Sequence, residues 1–295
     1  MSSGEPGHVR AHYERWPFPG CDFAGREGLL ILRSLTGLLG AHRSARVLDA
    51  GCGTGHTTLA LARRFPEITF VGVDFSDSSI CAARKAAGDL ANVSFERADI
   101  SEDLPGLGLF EVALCFGVLH HTPDMGAALR LVVGRIAPGG RLLLWLYGRH
   151  GRARHRLNQA FIQSLCGGAP ATEQFRVARE FLEHLGQDHA SDSGFYSPCG
   201  SGEAGIAWLL DHPEWLADQM IPAHEQDVSM HEILDLFASC ELHFLDWLGV
   251  SSDLGSYTSS RELVQRFETL SGRQKLLAID CLIKPGSYLV QGEKR

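Results

Sequence analysis

The sequence predicts a doubly wound α/β domain, a mostly parallel sheet covered by helices on both faces. Three observations carry that expectation. Between residues 45 and 148, near-continuous apolar runs of strand length alternate with segments of helical period. The first run, Val47-Leu48-Asp49-Ala50, enters the glycine-rich turn Gly51-Cys52-Gly53-Thr54-Gly55. A strand-turn-helix opening of this kind needs glycine where the backbone takes positive φ or lies against a ligand. Acids close two successive strands: Asp49 the first, and Asp74 the second, Thr69-Phe70-Val71-Gly72-Val73-Asp74. The second of these is where doubly wound folds place a ribose-binding acid.

Taken in order, residues 1–10 are expected to be disordered. His12-Tyr13-Glu14-Arg15-Trp16-Pro17-Phe18-Pro19-Gly20 carries two prolines and a glycine, which predicts an extended, turning strap. Leu29, Leu32, Leu35, Leu38 and Leu39 fit a packing helix over 28–39. The helix after the glycine turn runs to about Phe65. Ser76 or Asp77 caps the next, which presents Ile80, Ala83 and Ala87. Strand three is Val93–Asp99 and strand four Phe110–Phe116. A helix over Met125–Ile136 is expected to stop at Pro138-Gly139-Gly140, before strand five, Arg141–Tyr147.

The pattern changes after Tyr147. Gly148-Arg149-His150-Gly151-Arg152-Ala153-Arg154-His155-Arg156 reads either as the solvated start of a helix or as an anion site. Residues 157–190 read as two polar helices divided by Gly167-Gly168-Ala169-Pro170, and 191–205 as a Gly/Ser loop. His212, His224, Glu225 and His231 lack a tight ligand spacing such as H-E-x-x-H, so no metal site is expected. Ser229 would cap a helix Met230–Cys240 ahead of strand six, Leu242–Leu248. Helical segments around 261–283 precede a last strand at Ser287–Gln291. The chain thus divides into an N-terminal strap and helix (1–44), a core (45–148), an insertion (149–228) and a completion of the core sheet (229–295).

Composition bounds the partners. Apolar residues make up 44% of 295, enough for a packed core, and the net charge is −8. An acidic chain argues against broad nucleic-acid binding, which needs a basic face to displace counterions. Eight cysteines are scattered without a C-x-x-C pair, and Cys52, Cys81 and Cys115 fall on core elements as buried thiols would. With no signal-peptide h-region and no apolar run of spanning length, a reduced cytoplasm and no membrane partner are expected.

Phe116-Gly117-Val118-Leu119-His120-His121-Thr122-Pro123-Asp124 and Ala137-Pro138-Gly139-Gly140 complete a pattern that Asp49-x-Gly51-x-Gly53-x-Gly55 begins. Over 45–148 it resembles class I S-adenosylmethionine (SAM)-dependent methyltransferases of the small-molecule type. The resemblance implies a Rossmann-like fold with a seven-stranded, mostly parallel sheet whose last strand runs antiparallel. It implies SAM as cofactor. It also implies roles: Asp49 near the methionyl ammonium, Gly51 and Gly53 for close backbone approach, and Asp74 on the ribose diol. Phe75 would pack on adenine, with Asp99 accepting from its amino group beside Ile100, and the backbone at Phe116 and Gly117 would face the methionyl part. Tyr13 would be brought over the cofactor by the strap. His121, with His120 beside it, is the candidate base, because both stand at the carboxyl end of strand four.

The function this implies is methyl transfer to a small-molecule acceptor at O, N, S or C. Two alternatives stay open at this point: a SAM-dependent enzyme that transfers no methyl, such as a cyclase, and a non-enzymatic SAM-binding module. The insertion, with Trp208 and Trp215, is expected to shape the acceptor pocket. The alternative use of those tryptophans is a homodimer interface.

Overall fold

The computed structural model describes residues 6–19, 36, 45–102, 104, 106–185 and 202–295. Seven strands form one sheet in the order β3-β2-β1-β4-β5-β7-β6. They are β1 (Arg46–Ala50), β2 (Thr69–Asp74), β3 (Val93–Arg97), β4 (Phe110–Phe116), β5 (Ile136–Tyr147), β6 (Leu242–Trp247) and β7 (Ser287–Lys294). The first five run parallel to one another, and β7 runs antiparallel between β5 and β6. The order reverses direction between β1 and β4. Open α/β sheets bind ligands outside the carboxyl ends of strands at such a switch point.

The strands alternate faces, so each feeds two cores. Leu48, Val71, Ala113 and Leu144 enter the layer shared with α4 (Met125–Gly134), α9 (Met230–Ser239) and α11 (Gly272–Ile283). Val47, Phe70, Val112, Leu114 and Leu143 enter the opposite layer, under α2 (His56–Arg64). Burial on both faces explains why β1 and β4 read as apolar runs and not as alternating ones. Each fully buried aliphatic side chain contributes about 1.5–3 kcal/mol of transfer free energy. The helix ends follow the sequence. The Ser76 side chain accepts from Ser79 N and caps α3 (Asp77–Ala87), and Ser229 forms a capping box with Glu232 at α9.

Several expectations are corrected. The N-terminal segment is a helix, α1 (Pro6–Arg15), neither disordered at 6–10 nor extended at 12–15. Val9 and His12 are buried on one face of it, the helical spacing that the prolines downstream obscured. The helix before β5 ends at Gly134. Ile136 is fully buried and pairs with Phe110, so Ala137–Gly140 form an irregularity inside β5 and not a stop after a helix. Cys81 is exposed, whereas Cys52 and Cys115 are buried free thiols. The leucine pattern over 28–39 lies outside the described residues apart from Thr36.

Among the described residues between β5 and α9 are four helices: α5 (Arg149–Cys166), α6 (Ala171–Glu183), α7 (Gly202–Asp211) and α8 (Pro213–Met220). The loop expected over 191–205 is helical from Gly202 onward, and 191–201 lie outside the described residues. Ile162, Leu182, Leu209, Trp215 and Leu216 form a separate apolar core, onto which Trp16 and Phe18 pack from the N-terminal segment. After β6 comes α10 (Arg261–Glu268), then α11 and the closing strand. No helix among the described residues is long and apolar enough to cross a membrane.

Candidate functional site

A cavity of about 330 Å³ opens at the carboxyl ends of β1 and β4. One end is built by the glycine turn and the strand-terminal acids. Gly51 takes φ +83° and Gly53 φ +53°, in the left-handed region that favours glycine. The close approach that excludes a Cβ there comes from the protein itself. A Cβ on Gly51 would lie 2.3 Å from Val118 Cγ2, and one on Gly53 would lie 2.2 Å from the Phe18 carbonyl oxygen. That carbonyl accepts from Thr54 N, so the glycine turn also seats the N-terminal segment.

Asp49 is buried and accepts from the Thr58 hydroxyl through Oδ2. Asp74 accepts from Gly53 N through Oδ2 at 3.0 Å and from Ser76 N through Oδ1 at 2.9 Å. A carboxylate offers about four lone-pair sites, so each Asp74 oxygen keeps one free. Burial pushes both acids up to about 6. The Thr58 hydrogen bond opposes this at Asp49, and the Ser76 and Gly53 amides oppose it at Asp74. A buried carboxylate raised in this way is stabilised by a cation or by hydroxyl donors. Phe75, Asp99, Ile100, Phe116 and Gly117 line the same cavity. Asp99 follows β3 and caps its own turn by accepting from Ser101 N.

The other end of the cavity was not legible as a unit. Asp218, on α8, is 2% exposed and sits at the centre of a polar cluster. Its Oδ1 accepts from the Tyr13 hydroxyl at 2.8 Å and lies 3.6 Å from His121 Nε2. Its Oδ2 accepts from the Tyr147 hydroxyl at 3.2 Å and from Gln219 Nε2 at 2.8 Å. His121 Nδ1 is 2.7 Å from the His224 carbonyl oxygen. A carbonyl only accepts, so Nδ1 carries a hydrogen and Nε2 is left to take a proton. Tyr13 places its ring edge-on to both Phe75 and His121 and so touches both ends of the cavity. Burial and the Asp218 carboxylate hold the Tyr13 and Tyr147 phenols well above their ordinary range, so both stay protonated.

His120 does not share this position. It is fully buried, packs its ring against Tyr147 at 4.0 Å, and is absent from the cavity wall. Its two ring nitrogens have no hydrogen-bond partner among the described residues, and burial drives it well below the usual imidazole range. The basic run starts α5 with Arg149 exposed, but its middle is buried. Arg152 is 4% exposed, paired with Glu225 at 3.2 Å and set 3.6 Å over the Tyr147 ring. Arg149 and Arg156 are held by Asp227, Glu232 and Glu225. The run is therefore neither a purely solvated helix start nor an open anion site. Trp215 lines the cavity and donates through Nε1 to the Pro19 carbonyl, whereas Trp208 stacks on His212 away from it. Glu225 is committed to arginines, and His231 pairs with Asp235.

The residues at the first end fit S-adenosylmethionine. Asp49 would meet the ammonium, Asp74 has one free site per oxygen for two ribose hydroxyls, and Phe75 and Ile100 supply apolar faces. A family model described as a methyltransferase domain matches residues 41–183. Trans-aconitate 2-methyltransferase of Deinococcus radiodurans is 36% identical over 125 residues, 42% of this chain and 46% of that protein. An uncharacterized Synechococcus protein is 34% identical over 250 residues, 80% of this chain and 57% of its own length. The chain thus spans about half the length of these two relatives. Among solved structures, PKMT2 from Rickettsia typhi in complex with AdoHcy superposes with a TM-score of 0.62. It is 14% identical and matches 100% of this chain and 55% of that one. Magnesium protoporphyrin IX methyltransferase from Synechocystis with bound SAM gives a TM-score of 0.51 at 14% identity, over 100% and 98% of the two chains. Residues 41–183 thus match a methyltransferase domain, and the glycine turn, the paired strand-terminal acids and the sheet order agree with the class I SAM-dependent methyltransferases that the chain resembles, whose cofactor is S-adenosylmethionine.

Proposed function

We propose that the protein transfers a methyl group from S-adenosylmethionine to a small-molecule acceptor, with His121 as the proton acceptor. The observation that carries this reading is the single cavity in which the strand-terminal acids and the His121–Asp218 pair face one another. When bound, the cofactor supplies a methyl group already activated by its sulfonium. The chain's own residues have three tasks. Asp49 and Asp74 hold the cofactor. Tyr13, Trp145 and Trp215 wall the site and exclude water, which aligns the reactants and keeps the field of nearby charges strong. His121 takes the acceptor's proton at Nε2, and Asp218 beside it stabilises the imidazolium that forms.

In this reading residues 149–228 are a substrate-shaping insertion on the SAM-binding core of 45–148. Asp218 and Trp215 are its contribution to the cavity wall. The names of two relatives support a small acceptor: trans-aconitate 2-methyltransferase, and ubiquinone biosynthesis O-methyltransferase from Pseudomonas aeruginosa. The test is incubation of the protein and methyl-labelled SAM with a metabolite extract, followed by mass spectrometry. A labelled small product formed together with S-adenosylhomocysteine is expected. S-adenosylhomocysteine binding without any labelled product would instead favour a non-methylating enzyme or a binding module.

A further inference from the structure

We propose that the acceptor end of the cavity selects a non-anionic molecule through a hydrogen-bond donor, a hydroxyl or an amine, and rejects carboxylates. The inference rests on the methyltransferase reading and names the acceptor class.

It follows from counting donors. Among the described residues, the side-chain donors around that end are spent within the protein, apart from the indole N–H of Trp145. The Tyr13 and Tyr147 hydroxyls are given to Asp218, Trp215 Nε1–H to Pro19 O, His121 Nδ1–H to His224 O, and the Thr122 hydroxyl to Leu119 O. The indole nitrogen of Trp145 is buried, so it offers nothing to the cavity surface. What remains are acceptors. Asp218 takes three hydrogen bonds of the four its carboxylate can accept, and the open site belongs to Oδ1, the oxygen nearer His121. The Tyr13 oxygen, its proton committed, has lone pairs to offer, and His121 Nε2 is a further acceptor. A ligand group with hydrogens to donate completes this surface. Among the described side chains there, a carboxylate finds only lone pairs.

Charge points the same way. Among the described residues, the cavity wall carries Asp49, Asp74, Asp99, Glu102 and Asp218 against one arginine, Arg10, which is paired with Asp77. The arginines nearest the acceptor end, Arg152 and Arg156, stand outside the wall with their charges spent on Glu225. Enzymes that bind acids present an arginine or lysine to them, often in a bidentate fork. Here the charged group facing the acceptor is an acid. Desolvating an anionic acceptor beside buried Asp218 would bring like charges together without a compensating donor. The aromatic walls, Tyr13, Phe18, Trp145, Tyr147 and Trp215, suit a flat apolar body carrying the donating group.

The test uses three probes with the same ring and different head groups: phenol, benzylamine and benzoate. Their binding to the full chain saturated with S-adenosylhomocysteine is measured by ligand-observed NMR and calorimetry. Binding of S-adenosylhomocysteine is recorded first, and its failure would overturn the cofactor assignment and not the acceptor class alone. Phenol or benzylamine is expected to bind at least about tenfold more tightly than benzoate, or about 1.4 kcal/mol. Asp218→Asn, which keeps the shape and removes the charge, is expected to narrow the benzylamine–benzoate gap by about the same factor. Its melting curve and its affinity for S-adenosylhomocysteine report whether the fold and the cofactor site survive. The wild-type probe series decides the proposal even where the variant fails to fold. Benzoate binding as tightly as either other probe overturns it, as does failure of all three to bind.

Discussion

Asp49 gives the sharpest quantitative expectation. Burial holds its carboxyl at about 6 against an ordinary value of 3.8, so at neutral pH the empty protein carries a buried charge it would rather neutralise. Two units correspond to about 3 kcal/mol. The sign follows from the raised value. This group's contribution to the stability of the free protein is fully present below the unfolded value of 3.8 and is lost as pH rises through about 6. A cationic cofactor reverses the preference, because an ammonium beside Asp49 favours the ionised form. Cofactor affinity should therefore be flat above pH of about 7, and near pH 5 about tenfold weaker for the one proton that must leave Asp49. Calorimetry of S-adenosylmethionine across that range, in buffers of different ionisation enthalpy, reads both the affinity and the protons released. Asp74 titrates over the same window, with its own value also about 6, and Asp74→Asn separates the two. Asp49→Asn should bind about 1.5–3 kcal/mol more weakly and lose its share of the pH dependence. An affinity flat from about pH 5 to 7, or an Asn variant binding as the wild type does, would refute the placement of the ammonium at Asp49.

Asp74→Ala removes both free acceptor sites and should cost about one to two decades of cofactor affinity by calorimetry, with the melting transition retained. His121→Ala should lower kcat by about 10²–10⁴ while cofactor affinity holds, and a loss below about tenfold would return His121 to a structural role. Trp215→Phe, which keeps a ring on the cavity wall but deletes the bond to Pro19 O, should raise the acceptor KM, whereas Trp208→Phe should not. Gly53→Ala sets a Cβ 2.2 Å from the Phe18 carbonyl at a φ of +53°, and thermal melting should show a loss of about 1–3 kcal/mol.

The cofactor end was legible in the sequence because its constraints are local. A positive φ in a strand-to-helix turn calls for glycine, and an acid at a strand's carboxyl end needs only the strand's own length to place it. Asp49, Gly51, Gly53 and Asp74 follow from two contiguous stretches. The acceptor end has no such economy. Tyr13 and Asp218 meet across 205 positions of sequence, and Tyr147 reaches Asp218 across 71. Asp218 carried one faint signal: it stands with Gln219 in Trp215–Met220, a stretch of α8 that is buried throughout, and buried polar residues call for partners. Arg152 was equally hidden. Helical period alone could not separate it from Arg149 and Arg156, because what buries it is Glu225, far along the chain.

That division of constraint has a consequence for specificity. On the proposed reading the core acids answer to the cofactor, which does not vary, and they come from the sheet. The acid at the acceptor end comes from α8, packed in its own apolar core with Trp16 and Phe18, so it can change without touching β1 or β2. Behind it, Arg152 is paired with Glu225. Glu225 holds that guanidinium over the Tyr147 ring, where it buttresses the phenol that donates to Asp218. Replacing Glu225 would free a buried cation a few ångströms behind the acceptor wall and shift the balance toward anions. On the proposed reading, the insertion would govern acceptor charge through two carboxylates with opposite duties: Asp218 presents a negative field to the ligand, and Glu225 keeps a positive one away from it.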